Sequence, residues 1–214
     1  MVKLEKFTPF ARFINSGELK FRTETYLNLT KKREEFIEVL KDKKCIGVVI
    51  MLNPGSSSPK EERYDEIVEA KPDDTMEKIE DCVLIAYKNN LPNNGYIQIF
   101  NLFNLRCTKL KEAIKIYKKY KDNSLMISRI EVYPKTPWIW LAWGCDDDEE
   151  LAERKKEVFD YVAEKFSGKI IKKECQSKGN KLGFWHPYQY GKTKQSELKD
   201  KISNEIYNKI IQQN

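Results

Sequence analysis

Apolar positions along the chain fall into blocks that switch between the two-residue period of a strand and the 3.6-residue period of a helix. The densest block, residues 45–52, is rich in Val and Ile and predicts a buried central strand. It ends in Asn53-Pro54-Gly55, where Pro54 restricts Asn53 to extended angles and Gly55 permits a tight turn, and Ser56, Ser57 and Ser58 follow. A strand that opens into Gly and Ser presents free backbone N–H groups where open α/β sheets hold ligands. A plain strand-to-loop turn explains the same residues.

Upstream, residues 18–29 alternate Leu19, Phe21, Tyr26 and Leu27 with charged residues and Thr, predicting a half-buried antiparallel edge strand. Residues 1–17 carry Phe7, Phe10 and Phe13 around Pro9 and predict a short docked segment. Thr30 is placed to cap a helix over 31–43, with Phe36, Ile37, Val39 and Leu40 on one face. The stretch 60–72 is charged and without a period, predicting an insertion or a mobile lid. An acidic cap at Asp73 or Asp74 then opens a helix through Met76, Ile79, Val83, Leu84 and Tyr87.

A second strong strand spans 96–103, and helical patterns cover 110–120 and 123–133. The third strand, 137–144, ends in Trp143-Gly144 and leads into an acidic run and a helix over 149–166; the run's placement fits the helix dipole better than a magnesium site. Short strands are predicted at 169–174 and 182–185, and a terminal helix at 196–211. This alternation predicts an α/β fold in one domain of 214 residues, with a mainly parallel sheet and helices on both faces. In such a sheet Asn53, Asn101, Gly144 and His186 all fall on one edge. His186 is the only histidine, so imidazole chemistry has a single candidate.

Charge changes the picture little. Lys and Arg number 39 against 33 Asp and Glu, and the resulting +6 permits an acidic partner without demonstrating one. Five cysteines, spaced singly with no C-x-x-C pair, predict reduced thiols in a cytoplasm and argue against a zinc or iron–sulfur site. No apolar run approaches a membrane span and residues 1–13 lack a signal-peptide core, so a soluble cytoplasmic protein without metal or cofactor is expected.

Taken in order, Met51-Leu52-Asn53-Pro54, Asn101-Leu102-Phe103-Asn104-Leu105-Arg106, Trp143-Gly144 and His186-Pro187 resemble the motifs of the uracil-DNA glycosylase superfamily, in particular a bacterial branch sharing M-L-N-P, N-L-F-x-L-R, W-G and a late H-P. The resemblance covers roughly Ile46 to Tyr190. It implies a three-layer α/β/α fold and a monofunctional DNA glycosylase that extrudes a modified or damaged base and hydrolyses its glycosidic bond, in repair or in defence against phages with modified DNA. It assigns Asn53 to the attacking water, Asn101 to the edge of the base and His186 to the charge on the leaving base. Pro54, Gly55 and Ser56 would line the pocket, with Phe103 or Tyr64 stacking on the base. Tyr188, Gln189 and Tyr190 stand where the family carries a wedge into the duplex, and Arg106, Lys192 and Lys194 would meet phosphates.

Two positions depart from the family pattern. Gly55 replaces a tyrosine that blocks bulky pyrimidine substituents, and the loop after His186 reads Pro-Tyr-Gln-Tyr instead of Pro-Ser-Pro-Leu. The first departure implies a larger modified pyrimidine as substrate. A non-catalytic nucleic-acid or nucleotide binder of the same fold, and a nucleoside or nucleotide N-glycosidase, fit the same motifs.

Overall fold

β3 (Cys45–Met51) is buried at every position, as its unbroken apolar sequence requires. The computed structural model describes residues 7–29, 33–42, 44–88, 90–92, 94–145, 148–175, 182–187 and 195–212. In it β3 runs parallel to β5 (Tyr96–Asn101) on one side and to β6 (Ile139–Leu141) on the other, and β7 (Ile170–Lys172) extends the parallel set beyond β6. Across β5 the direction reverses. β2 (Leu19–Asn28) lies antiparallel to β5, β1 (Thr8–Ser16) antiparallel to β2, and β4 (Ile67–Glu69) antiparallel to β1. The result is a mixed seven-stranded sheet in the order β4-β1-β2-β5-β3-β6-β7.

Helices cover both faces of this α/β sheet, and successive residues of β3 show how. Val48 and Ile50 pack with Phe36 of α1 (Arg33–Lys41), Ile114 of α3 (Leu110–Tyr120) and Val158 of α4 (Ala152–Phe166). Val49 and Met51 pack with Ile79 of α2 (Asp74–Ala86) and Ile202 of α5 (Gln195–Ile211). The period of two thus sorts one strand's side chains into two cores. Trp138 lies flat enough against β3 that a Cβ at Gly47 would overlap its ring.

Several expectations change. β2 is an interior strand, because residues 8–16 form β1 and fold back on it through Gly17, whose φ is +59°. The stretch 60–72 contributes β4, and its loop is held by backbone bonds from Asp65 N to Phe13 O at 2.8 Å and from Lys60 N to Glu69 O at 2.9 Å. Residues 123–133 are not helical. Asn123 Oδ1 accepts from Leu125 N at 2.9 Å, and Asn104 Nδ2 donates to Leu125 O at 2.9 Å, so side chains satisfy backbone groups that a helix would pair. Residues 182–185 supply only single bridges, from Phe184 to Gly144 and to Glu174.

Cys145 and Cys175 form a disulfide, while Cys45, Cys82 and Cys107 are free. Five reduced thiols are therefore not what the structure holds. β6 and β7 pair Leu141 with Lys172, which carries two cysteines 30 positions apart to the same end of the sheet. Cysteine usage accordingly gives no argument for a reducing compartment. Among the described residues no helix is long and apolar enough to cross a membrane.

Candidate functional site

The carboxyl ends of β5, β3 and β6 stop in near register, because their pairing continues past the strands: Leu102 N donates to Met51 O at 2.9 Å and Ala142 N to Ile50 O at 2.8 Å. Asn53 thus emerges beside the segment that follows Asn101. Its Nδ2 donates to Cys107 O at 2.8 Å, which fixes the carboxamide and leaves Oδ1 as the acceptor. Pro54 is buried, and Gly55 has φ +64° with no atom within 4 Å of where a Cβ would sit. Ser56 is exposed, and its carbonyl lies 3.5 Å from Arg106 Nη2. Ser57 Oγ donates to Lys71 O at 2.9 Å, tying the Asn-Pro-Gly loop to the segment that leads into α2.

Asn101 ends β5 as a buried side chain whose Oδ1 has no hydrogen-bond partner among the described residues. Such an acceptor is costly unless something pairs with it. Asn104, from the same motif, is spent on structure through Leu125 O and Ser128 Oγ. Phe103, expected against a base, is 0 % exposed and packs in the core with its ring 5.2 Å from Tyr117. Its place just after the strand turns it inward, which removes it from the site. Tyr64 is exposed.

His186 follows Phe184 and Trp185, whose backbones bond to Gly144 and Lys173, so its loop hangs from the ends of β6 and β7. Trp143 strengthens the connection by donating from Nε1 to Leu182 O at 3.0 Å. Burial drives the His186 pKa down to about 4, with the Asp73 carboxylate opposing and Lys78 adding to the drop. The imidazole is therefore neutral at pH 7 and able to donate from one ring nitrogen.

Sequence reasoning missed Arg22. It lies on β2 with 0 % exposure, its backbone N donating to Asn104 O at 3.0 Å. Its Nη1 is 4.0 Å from Asp73 Oδ2, and Nε and Nη1 have no hydrogen-bond partner among the described residues. Burial lowers its pKa to about 10, the Asp73 carboxylate opposing and Arg106 adding to the fall. Asp73 itself caps α2, as expected, accepting from Met76 N at 2.9 Å. Arg106, expected on a phosphate, is half-buried with its guanidinium 5.2 Å from the Phe13 ring centre and its buried Nε without a hydrogen-bond partner among the described residues. In sequence, Arg22 sits in the polar row of an alternating strand, and only the covering of β2 on both faces buries it.

Tyr188, Gln189, Tyr190, Lys192 and Lys194 lie outside the described residues, as do Thr30 and the aspartates 146 and 147. Asp148 Oδ1 accepts from Glu150 N at 3.0 Å, capping the short turn of helix before α4. No group of three or more His, Cys, Asp or Glu able to hold a metal occurs among the described residues.

No curated protein and no solved structure matches this chain. A family model does match, over residues 28–187, which takes in Asn53, Asp73, Asn101, Arg106 and His186 and leaves Arg22 outside. The chain belongs to that family, described as a protein of unknown function, DUF1643.

Proposed function

We propose that the protein is a monofunctional DNA glycosylase with a three-layer fold of the uracil-DNA glycosylase type, its parallel strands forming the catalytic half of the sheet. The observation that carries the reading is His186, a half-buried neutral imidazole on the same sheet edge as two strand-end carboxamides. Breaking an N-glycosidic bond sends its electron pair to the base and leaves positive character on the sugar. Catalysis then rests on donors arranged beforehand around the departing base. His186 donates a hydrogen bond to that charge, Asn101 Oδ1, without a partner among the described residues, accepts from an N–H on the base edge, and Asn53 Oδ1 holds the water that attacks the sugar carbon and whose proton passes to the departed base.

An amide orients water without deprotonating it, so turnover is slow. The base leaves the helical stack first, at a cost of a few kcal/mol. Open space at Gly55 supports a pyrimidine with a bulky substituent. Duplex or single-stranded DNA in the cytoplasm is the partner, with Lys192, Lys194 and residues 188–190 meeting it. No metal or cofactor takes part in this scheme.

The test incubates the protein with oligonucleotides carrying uracil and a series of larger modified pyrimidines, then cleaves abasic products with alkali. Base release that falls at least about a hundredfold in both Asn53→Ala and His186→Ala supports the site. Release that both variants retain excludes it.

A further inference from the structure

Two buried arginines in this protein are treated in opposite ways. Arg154 on α4 is 8 % exposed and bonds through all three nitrogens: Nε to Leu102 O at 3.3 Å, Nη2 to Ser128 O at 2.9 Å and Nη1 to Glu157 Oε2 at 2.8 Å. Its burial is fully satisfied. Arg22 is buried more deeply, its side chain 1 % exposed, yet Nε and Nη1 bond to nothing among the described residues and the nearest carboxylate stands at 4.0 Å. An ionised group held out of water with two of its three nitrogens unbonded is unfavourable, so a guanidinium this deep calls for an anion.

The surroundings favour a ligand as that anion. Arg22 N donates to Asn104 O at 3.0 Å and Arg106 N to Lys20 O at 2.9 Å, which sets the two arginines on either side of the bridge between Phe21 and Leu105, and Arg106 too has a buried Nε without a hydrogen-bond partner among the described residues. Among the described residues Arg22 faces one carboxylate, Asp73, whose Oδ1 is already used on Met76 N. Because Asp73 caps α2, the amino end of that helix also points to this region, adding partial positive charge. A planar guanidinium suits two oxygens of one acid group, which a lone carboxylate at 4.0 Å does not provide.

We propose that Arg22 and Arg106 form a subsite for an oxyanion carried by a ligand at the carboxyl ends of the parallel strands, a phosphate or carboxylate group whose oxygens take Arg22 Nε and Nη1. The depth of Arg22 separates this subsite from a surface that tracks the backbone of duplex DNA. It stands independently of base excision, since it rests on Arg22 and Arg106 and not on Asn53 or His186.

The experiment is calorimetric titration of the intact protein at low ionic strength with paired probes: deoxyuridine against deoxyuridine monophosphate, uracil against its ring-carboxylated form, and inorganic phosphate alone. The acidic member of at least one pair binds about tenfold or more tightly than its neutral partner, and Arg22→Gln abolishes the preference. Preference for the monophosphate over both deoxyuridine and phosphate identifies a nucleotide phosphate as the source. Preference confined to the carboxylated base identifies an acidic substituent, and equal binding of phosphate and monophosphate a free oxyanion. Arg106→Gln, at a half-buried position, weakens the same preference and decides the matter if Arg22→Gln does not fold. Acidic and neutral probes binding alike to the native protein, or a preference that survives in the folded variants, overturns the proposal. Base release from oligonucleotides without any charge preference would overturn it while sparing the glycosylase reading, and charge preference without base release does the reverse.

Discussion

Arg22 Nη1 stands 4.0 Å from Asp73 Oδ2, while the other oxygen of that carboxylate accepts from Met76 N at 2.9 Å. One side chain therefore caps α2, faces a buried guanidinium and raises the His186 pKa against the pull of burial. Asp73 links β2, α2 and the loop of the sole histidine. Asp73→Asn keeps a good cap and removes only the charge. It should destabilise the protein by about 1–3 kcal/mol, and by clearly less in an Arg22→Met background. Urea unfolding of the four proteins in that cycle measures the coupling.

His186 should make stability depend on pH in a defined window. Its folded pKa is about 4, whereas an unfolded histidine titrates near 6.5. Between those values the unfolded chain holds a proton that the folded one does not, so stability falls as pH drops from about 6.5 towards 4 and is flat in this respect above it. The full loss is about 3 kcal/mol. His186→Asn should flatten that part of the profile, as read by urea midpoints from pH 4 to 7. With one histidine in the chain, its imidazole resonance reports the titration without overlap.

Gly47 and Gly55 should respond differently to alanine. A Cβ at Gly47 overlaps the Trp138 ring, so Gly47→Ala displaces that ring from its place against β3 and costs about 2–3 kcal/mol. At Gly55 there is open space but φ is +64°, so alanine brings only backbone strain of about 1 kcal/mol. Thermal denaturation of the two variants separates packing from conformation.

Reduction of the disulfide between Cys145 and Cys175 opens a loop of 30 residues and should lower stability by about 3–4 kcal/mol on loop entropy. Because Cys175 N donates to Gly183 O at 3.0 Å, hydrogen exchange should rise in the segment leading to His186 before it rises in β3.

What the sequence reveals follows from how far each signal reaches along the chain. β3 is legible because every position is buried and apolar, and the start of α2 because Asp73 caps it three residues before Met76. β1 is hidden because a register shift between Arg12 and Phe13 breaks the alternation that would announce it. The two cysteines that pair, and the depth of Arg22, depend on neighbours distant in the chain: the parallel pairing of β6 with β7, and the covering of both faces of β2, where Phe21 lies in one core and Leu27 in the other. Asn53 and Asn101 are readable as polar residues at strand ends, whereas His186 follows single bridges at Phe184 and not the strand expected there. Phe103 next to them reads equally well as core, and core is where it lies.

Base release by the native protein, compared side by side with Asn53→Ala and His186→Ala on the same bulky-pyrimidine oligonucleotide, tests the central claim most directly. The account predicts slow, metal-independent release of the free base that both substitutions reduce by about a hundredfold or more while the proteins stay folded. Undiminished release in both variants, or no release from any modified base by the native protein, contradicts it.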